Sequence, residues 1–270
     1  PERNTYFFSM VARTEVLAHM PACAAMFLRG DVREASQSVV AAIDPAAYFD
    51  RLANAKAVAA GIGSAGFDSR QALVHKTAVD LSCRRGTAQD AVAKAEGKVL
   101  VSDTGELTWD TETPRAGYFT VNTPNTKLFT GFPKGRTINL GDVTLSVGKT
   151  RLDWATVSMT SRFASGFGAA GKPAGILLAA TGFAENGGMA IDPVNAKEIT
   201  LRGWGTEQTR AEGVPAVLTL PSDPLKTRCY ALDPHGDRKR DVPVGKADGG
   251  GSRIAIGPEY ATVWYAIEVK

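Results

Sequence analysis

The sequence is poor in the residues that usually build metal centres and disulfide frameworks. It has only 3 cysteines and 3 histidines, which are scattered along the chain at Cys23, Cys83, Cys229, His19, His75 and His235. A structural zinc site needs four ligands that come close together, and the sequence has no CxxC pair. We therefore expect no bound metal and no cofactor. One long-range disulfide is an alternative that the sequence leaves open. The simpler interpretation is that the cysteines are small buried thiols.

Charge of one sign and long apolar runs are also lacking. The chain has 31 basic and 28 acidic residues and a net charge of +3. Nucleic-acid-binding domains usually carry a marked basic excess, so we expect no nucleic-acid partner. The one dense basic run, Arg238-Lys239-Arg240, follows a Pro-His-Gly-Asp turn and is typical of a solvated turn. No apolar stretch approaches the ~18 residues of a membrane-spanning helix, so we expect no membrane partner.

Two common catalytic motifs are missing or out of context. The chain contains no G-x-S-x-G, the sequence in which many hydrolases present a nucleophilic serine. Gly61, Gly63 and Gly66 match G-x-G-x-x-G in letters, but they follow a predicted helix, whereas a dinucleotide site follows a strand. The end of that helix explains these glycines better than a phosphate site does.

The pattern of apolar residues changes near residue 98. Before it, residues 7–30 predict a helix that stops at Gly30, and Asp44-Pro45 predicts the start of another. A short strand is expected over 38–43 and a helix over 87–96. Residues 73–81 suit a strand or a helix, and their alternation favours the strand. After residue 98, many short strands alternate with Gly, Pro, Asn and Asp turns. We expect a mainly β protein with a mixed segment (1–97), a larger antiparallel β-sandwich (98–212) and a smaller one (213–270).

The stretch SDTGELTWDT, residues 102–111, concentrates acids and an aromatic around one glycine. It suits an active-site loop, a sugar-binding surface or a plain hairpin. Glu106 and Asp110 would face the same side of a strand, roughly 13 Å apart at ~3.3 Å per residue. Catalytic carboxylate pairs of glycosidases are only ~5–9.5 Å apart. One strand therefore cannot supply both catalytic acids, although one of them with an acid elsewhere stays possible.

Tryptophan next to carboxylates suggests carbohydrate binding, because sugar faces stack on exposed aromatic rings while acids bind the hydroxyls. Trp109 lies among such acids, and Trp204 is flanked by two glycines. The alternative for each tryptophan is a place in the sandwich core. We expect this place for Trp154 and Trp264. The predicted carbohydrate-binding residues are Trp109, Asp103, Glu106, Asp110 and Trp204.

Several stretches together carry a family resemblance. They are FLRGDV (27–32), LVSDTGELTWD (100–110), FTVNTP (119–124), GF (131–132), ATGFAENGGM (180–189) and WYAI (264–267). As a series, they resemble the C-terminal part of large secreted bacterial glycoside hydrolases of the cellulase-like (β/α)-barrel clan, in which β-sandwich domains follow the barrel. Residues 7–30 look like the last helix of that barrel.

The resemblance implies a function without implying a catalytic residue. The catalytic acids of that clan lie at the ends of barrel strands, and nothing in this chain matches them. The resemblance implies a secreted or periplasmic accessory module that binds a polysaccharide or oligosaccharide, supports the catalytic barrel of its parent protein, or does both. Two alternatives stay open: a purely structural docking domain, and a self-sufficient carbohydrate-active hydrolase or lyase with a cleft on the sandwich.

Overall fold

The protein is mainly β, with several antiparallel sheets and short helices near its N-terminus, which confirms the predicted fold class. The computed structural model describes residues 13–42, 70–80, 97–111, 116–193 and 199–270. The helices predicted from Asp44 and over 87–96, and the glycines from 61 to 66, lie outside these residues. The chain divides into two compact units, the first formed by residues up to Asp31 and from Thr120 onwards, the second by Val32–Phe119.

The described helices are α1 Thr14–Leu17, α2 Met20–Arg29 and α3 Gln71–Val74. The described strands are β1 Ser38–Ala42, β2 Lys76–Asp80, β3 Val99–Val101, β4 Leu107–Asp110, β5 Tyr118–Asn122, β6 Thr126–Gly131, β7 Thr137–Leu140, β8 Val143–Val147, β9 Ala155–Ser161, β10 Ala174–Thr181, β11 Ala184–Asn186, β12 Met189–Pro193, β13 Ile199–Trp204, β14 Thr209–Ala211, β15 Ala216–Leu220, β16 Thr227–Leu232, β17 Arg238–Val242, β18 Val244–Lys246, β19 Ser252–Ile256 and β20 Trp264–Val269.

Two sheets build the first unit. The larger includes, in this order, β17, β16, β20, β10, β9, β6 and β5, and the smaller has the order β18, β19, β15, β8 and β7. Buried and more exposed residues alternate along β8, β15 and β19, as expected for strands with one covered face. Ser252 Oγ in the smaller sheet donates to Thr227 Oγ1 in the larger one at 2.9 Å, so the sheets face each other. The core between them includes Phe129, Leu145, Met159, Leu178, Leu218, Ile254, Tyr265 and Ile267.

Both sheets combine strands from either side of residue 212, where the sequence suggested a boundary between two sandwiches. In the smaller sheet β15 pairs with β8, and in the larger sheet β20 pairs with β10. The last part of the chain therefore completes sheets that begin before residue 155. Which strands pair depends on contacts between residues far apart in sequence, and strand propensity carries no information about them.

Helix α2 ends where the sequence predicts. Gly30 has φ 62 and ψ 39, a left-handed conformation that glycine adopts without a Cβ penalty. Its N–H donates to the carbonyl of Phe27, and the Asp31 N–H donates to that of Met26. These bonds satisfy carbonyls that the helix end would otherwise leave open.

The start of α2 is fastened to the larger sheet by a buried histidine. The ring of His19, 6% exposed, bonds to the hydroxyls of Ser158 and Thr181 at 2.7 and 2.8 Å. Thr181 Oγ1 donates to the Glu15 carbonyl, so we assign it as the acceptor of His19 Nε2–H and Ser158 as the donor to Nδ1. Trp264 Nε1 adds a bond to the Ala18 carbonyl at 2.9 Å. His19 therefore has a structural role in joining this helix to the sheet.

A buried ion pair fastens the other end of α2. Arg29 donates to both carboxylate oxygens of Asp31, to the Ser161 carbonyl at 2.7 Å and to Thr160 Oγ1 at 2.8 Å. Thr126 Oγ1 also donates to Asp31 at 2.7 Å. Burial alone would raise the pKa of Asp31, but the bonds from Arg29 and Thr126 outweigh it and hold that pKa below its usual value.

The second unit contains two pairs of strands among its described residues. β1 and β2 are parallel, with Ser38 opposite Lys76 and Ala42 opposite Asp80, whereas β3 and β4 form an antiparallel hairpin. The strand predicted over 38–43 is present. In the stretch predicted over 73–81, the short helix α3 precedes the strand. None of the helices in the described part of the chain is long and apolar enough to cross a membrane.

Acidification should destabilise the first unit through His19. Burial lowers the pKa of its imidazole from 6.5 to about 4, so below pH 6.5 the unfolded chain binds a proton that the folded protein refuses. Stability should be full above pH 6.5 and fall towards pH 4, by about 3 kcal/mol in total. Urea unfolding measured at steps between pH 7 and pH 4 checks this.

His19→Gln should be less stable at pH 7 but should show a flatter dependence of unfolding free energy on pH. His235→Gln is the matched control, because His235 is exposed in a turn. If the free energy of unfolding changes with pH equally steeply in the wild type and in His19→Gln, the acid sensitivity comes from other groups.

Candidate functional site

The stretch SDTGELTWDT forms a hairpin made of β3, β4 and the turn between them. Leu100 lies opposite Trp109, and Val99 lies opposite Asp110. The Ser102 hydroxyl accepts from the Leu107 N–H at 3.0 Å, and the Gly105 N–H donates to the Ser102 carbonyl at 2.8 Å. Gly105 has φ +73, so the turn uses its glycine for a conformation that other residues rarely adopt. Among the three interpretations of this stretch, the hairpin describes its backbone.

Glu106 is turned inward and holds the chain after Val32. One carboxylate oxygen accepts from the Arg33 backbone N–H at 2.8 Å, and the other accepts from Arg33 Nε at 2.8 Å. The Arg33 guanidinium also donates to the Thr104 carbonyl at 2.9 Å. The Glu106 side chain is 10% exposed, whereas that of Arg33 is 67% exposed. Both oxygens of this acid are therefore occupied within the protein.

Asp103 fastens the next residues of the same segment. Its Oδ2 accepts from the Gln37 N–H at 2.8 Å and from the Ser36 hydroxyl at 3.0 Å. The Gln37 N–H above all holds the pKa of this carboxyl below its usual value, which keeps it charged. The Asp103 N–H donates to the Val74 carbonyl at 3.0 Å, so the same residue also anchors the end of α3.

Trp109 and Asp110 lie on opposite faces of β4. Trp109 is 37% exposed, whereas Asp110 is 5% exposed. This alternation is the period of two that a strand imposes on its side chains. Trp109 is thus the one member of the predicted group in this hairpin that offers a broad apolar face to solvent.

Trp204 is more exposed than Trp109, at 61%, and belongs to the first unit. It ends β13 opposite Met189 of β12, and its carbonyl accepts from Asn186 Nδ2 at 2.9 Å. Gly205, with φ +66, lies so close to Gly187 and Gly188 that a Cβ would overlap their backbone. This contact lets the chain turn tightly and fixes the backbone that carries the Trp204 ring.

Four of the five predicted residues belong to the same hairpin. Asp103, Glu106, Trp109 and Asp110 lie in the second unit, and Trp204 lies in the first. A general acid must reach the bond that it protonates, but the three acids are inward and two of them already bond to backbone N–H groups. Within the described ranges no group of three His, Cys, Asp or Glu side chains could hold a metal ion. The exposed rings of Trp109 and Trp204 suit stacking against a ligand.

Sequence reasoning missed two residues that shape this region, Arg33 and His75. Arg33 is 73 residues from its partner Glu106. His75 Nδ1 lies 3.6 Å from Asp103 Oδ2. The only signal in the sequence was the excess of carboxylates in one turn, which indicates that partners exist without indicating which ones.

Comparisons of the chain with protein-family models, curated proteins and solved structures found no match. The likeness to glycoside hydrolases thus stays a resemblance of the quoted stretches.

Removing the Glu106 carboxylate should release the segment that follows Val32. In Glu106→Ala the Arg33 N–H loses its acceptor, so its hydrogen exchange should accelerate on the order of tenfold, the cost of one charged hydrogen bond. Amide exchange followed by mass spectrometry measures this.

Glu34→Ala is the control, because Glu34 forms an exposed ion pair with Lys76. Exposed pairs contribute little to stability, so exchange at Arg33 should stay unchanged in that variant. Equal acceleration in both variants would show that Glu106 has no special role.

Proposed function

We propose that the chain is a non-catalytic accessory module of a polysaccharide-degrading glycoside hydrolase that binds glycan through exposed tryptophans. The observation that carries this proposal is the contrast within the hairpin. Trp109 is presented to solvent on a paired strand, whereas Asp103, Glu106 and Asp110 are turned inward. Trp204 repeats the arrangement in the first unit, on a strand fixed by close glycine contacts.

Stacking on such rings is physically suited to a glycan chain. A tryptophan offers a large apolar face and has only two side-chain torsions, so ordering it on binding costs little conformational entropy. A sugar ring has apolar C–H faces that match this surface, while its hydroxyls stay in water. Each contact is small, and affinity should therefore be weak to moderate.

Charged side chains near Trp204 add hydrogen-bonding groups. Arg202 is exposed and pairs with Asp192 at 2.7 Å, and Glu207 and Arg210 are exposed after β13. Sugar hydroxyls both donate and accept, so a rim with both signs of charge suits them. A secreted or periplasmic location is part of the proposal and rests on the family resemblance.

A second candidate function is structural docking on a catalytic barrel. It is favoured by Phe27 and Leu28 of α2, which are 85% and 82% exposed. These residues lie on a helix whose other side makes the buried polar bonds of His19 and Arg29. An apolar helix surface that faces away from its own sheet is typical of a covered interface.

Affinity electrophoresis and pull-down with insoluble polysaccharides test the glycan proposal. The wild type should be retarded by at least one polysaccharide, and Trp109→Ala or Trp204→Ala should reduce its apparent affinity about tenfold or more, as expected for the loss of a stacked aromatic. Phe163→Ala is the matched control, because Phe163 is 74% exposed and belongs to neither site. Binding that survives both tryptophan substitutions would rule out this mode of recognition.

The docking candidate predicts that α2 presents a continuous apolar surface. The double variant Phe27→Ser, Leu28→Ser should bind less of a fluorescent apolar dye than the wild type at equal stability. Leu225→Ser, at an isolated residue that is 94% exposed, should bind as much as the wild type. Identical dye binding by all three proteins would remove the support for an apolar surface on this helix.

A further inference from the structure

The second unit contains a cavity of about 240 Å³ beside the hairpin. Its walls come from three segments: residues 33–35, α3 with the two residues after it, and the turn 102–104. Leu107 of β4 completes the wall. The space exceeds the ~30 Å³ of one water molecule several times, although it is small for a drug-sized ligand.

Two polar atoms at this cavity lack a hydrogen-bond partner. They are His75 Nδ1 and Asp103 Oδ1, both buried, and neither has hydrogen-bonding geometry to a donor or acceptor among the described residues. The Asp103 side chain is only 8% exposed and that of His75 is 22% exposed. Nδ1 is 3.6 Å from Asp103 Oδ2, which is beyond hydrogen-bonding distance. Buried polar groups are normally paired, so this pair indicates a missing partner.

The chemistry of the two groups limits that partner. The Asp103 carboxylate only accepts, whereas a neutral imidazole with its proton on Nδ1 donates from that atom. A hydroxyl can donate to the first and accept from the second. One hydroxyl can therefore serve both groups at once, as a donor to the carboxylate and as an acceptor from the ring. An ammonium group offers no acceptor for His75, and an anion would be repelled by Asp103.

The other charged residues of the wall are already paired. Arg33 bonds to Glu106, and Lys76 pairs with Glu34. Ala35, Ala72 and Leu73 provide the apolar part of the lining. A neutral ligand with hydroxyls on an apolar carbon frame fits this combination better than a charged one does.

We propose that this cavity holds a sugar unit of the bound glycan, with one hydroxyl bridging Asp103 and His75. This inference rests on the proposed glycan-binding function and adds a specific subsite to it. Leu107 and Trp109 lie on the same face of β4, about 7 Å apart at ~3.3 Å per residue. A glycan stacked on Trp109 is therefore close enough to place its neighbouring unit in the cavity.

Calorimetric titration of the whole chain with cellotetraose, xylotetraose, laminaritetraose and agarotetraose tests the subsite. Ala72 is exposed and lines the cavity, so Ala72→Phe fills the space with little risk to folding. The affinity for the tightest oligosaccharide should fall at least about tenfold in Ala72→Phe and in His75→Phe, which keeps a ring at this position but removes the bridging donor. Ala78→Phe is the control, because Ala78 is exposed and is not part of the wall.

The outcomes separate this inference from the function on which it rests. Binding that is lost in Trp109→Ala but unchanged in Ala72→Phe and His75→Phe would overturn the subsite and leave the glycan proposal intact. If the wild type binds none of the four oligosaccharides, both the subsite and the glycan proposal are overturned. Binding that EDTA abolishes and zinc restores would show that the two groups hold a cation, which also overturns the subsite. A change of the His75 ring nitrogen shifts on titration, absent in Ala72→Phe, would support it.

Discussion

The buried pair of Arg29 and Asp31 is the constraint on which the arrangement of the first unit depends. It joins the end of α2 to β6 and β9 through Thr126, Thr160 and the Ser161 carbonyl. The Asp31 side chain is 2% exposed, so losing Arg29 would leave a buried charge without its partner, at a cost of about 3–5 kcal/mol. His19 and Trp264 fix the other end of the helix. Because these bonds use its polar side, Phe27 and Leu28 face outward.

The same principle explains the hairpin of the second unit. Asp103 and Glu106 look like functional acids in the sequence because carboxylates on a turn are usually solvated or reactive. In the structure they accept from the backbone N–H groups of Gln37 and Arg33, which a segment without regular pairing would otherwise leave unsatisfied. Glu106 and Asp103 Oδ2 thus bind the protein's own backbone, and Trp109 is the exposed side chain of this hairpin.

The sequence was sufficient for features set by near neighbours. Turn residues and short apolar alternations predicted a mainly β chain, and Gly30 predicted the end of α2, because both depend on local backbone preferences. The order of the strands could not be predicted from the sequence, since β20 pairs with β10 and β16 through contacts between distant segments. The partners of Asp103 and Glu106 were hidden for the same reason. The exposure of Trp109 could be predicted, because alternation along a strand places Trp109 and Asp110 on opposite faces.

The bond between Asp31 and Thr126 also bears on how this chain tolerates change in length. These residues lie just before and just after the stretch that builds the second unit, 95 positions apart, and both belong to the first unit. The entropic cost of closing a loop between two such residues grows only with the logarithm of the loop length. A change in the number of residues between Asp31 and Thr126 should therefore alter the closure entropy of the first unit only slightly.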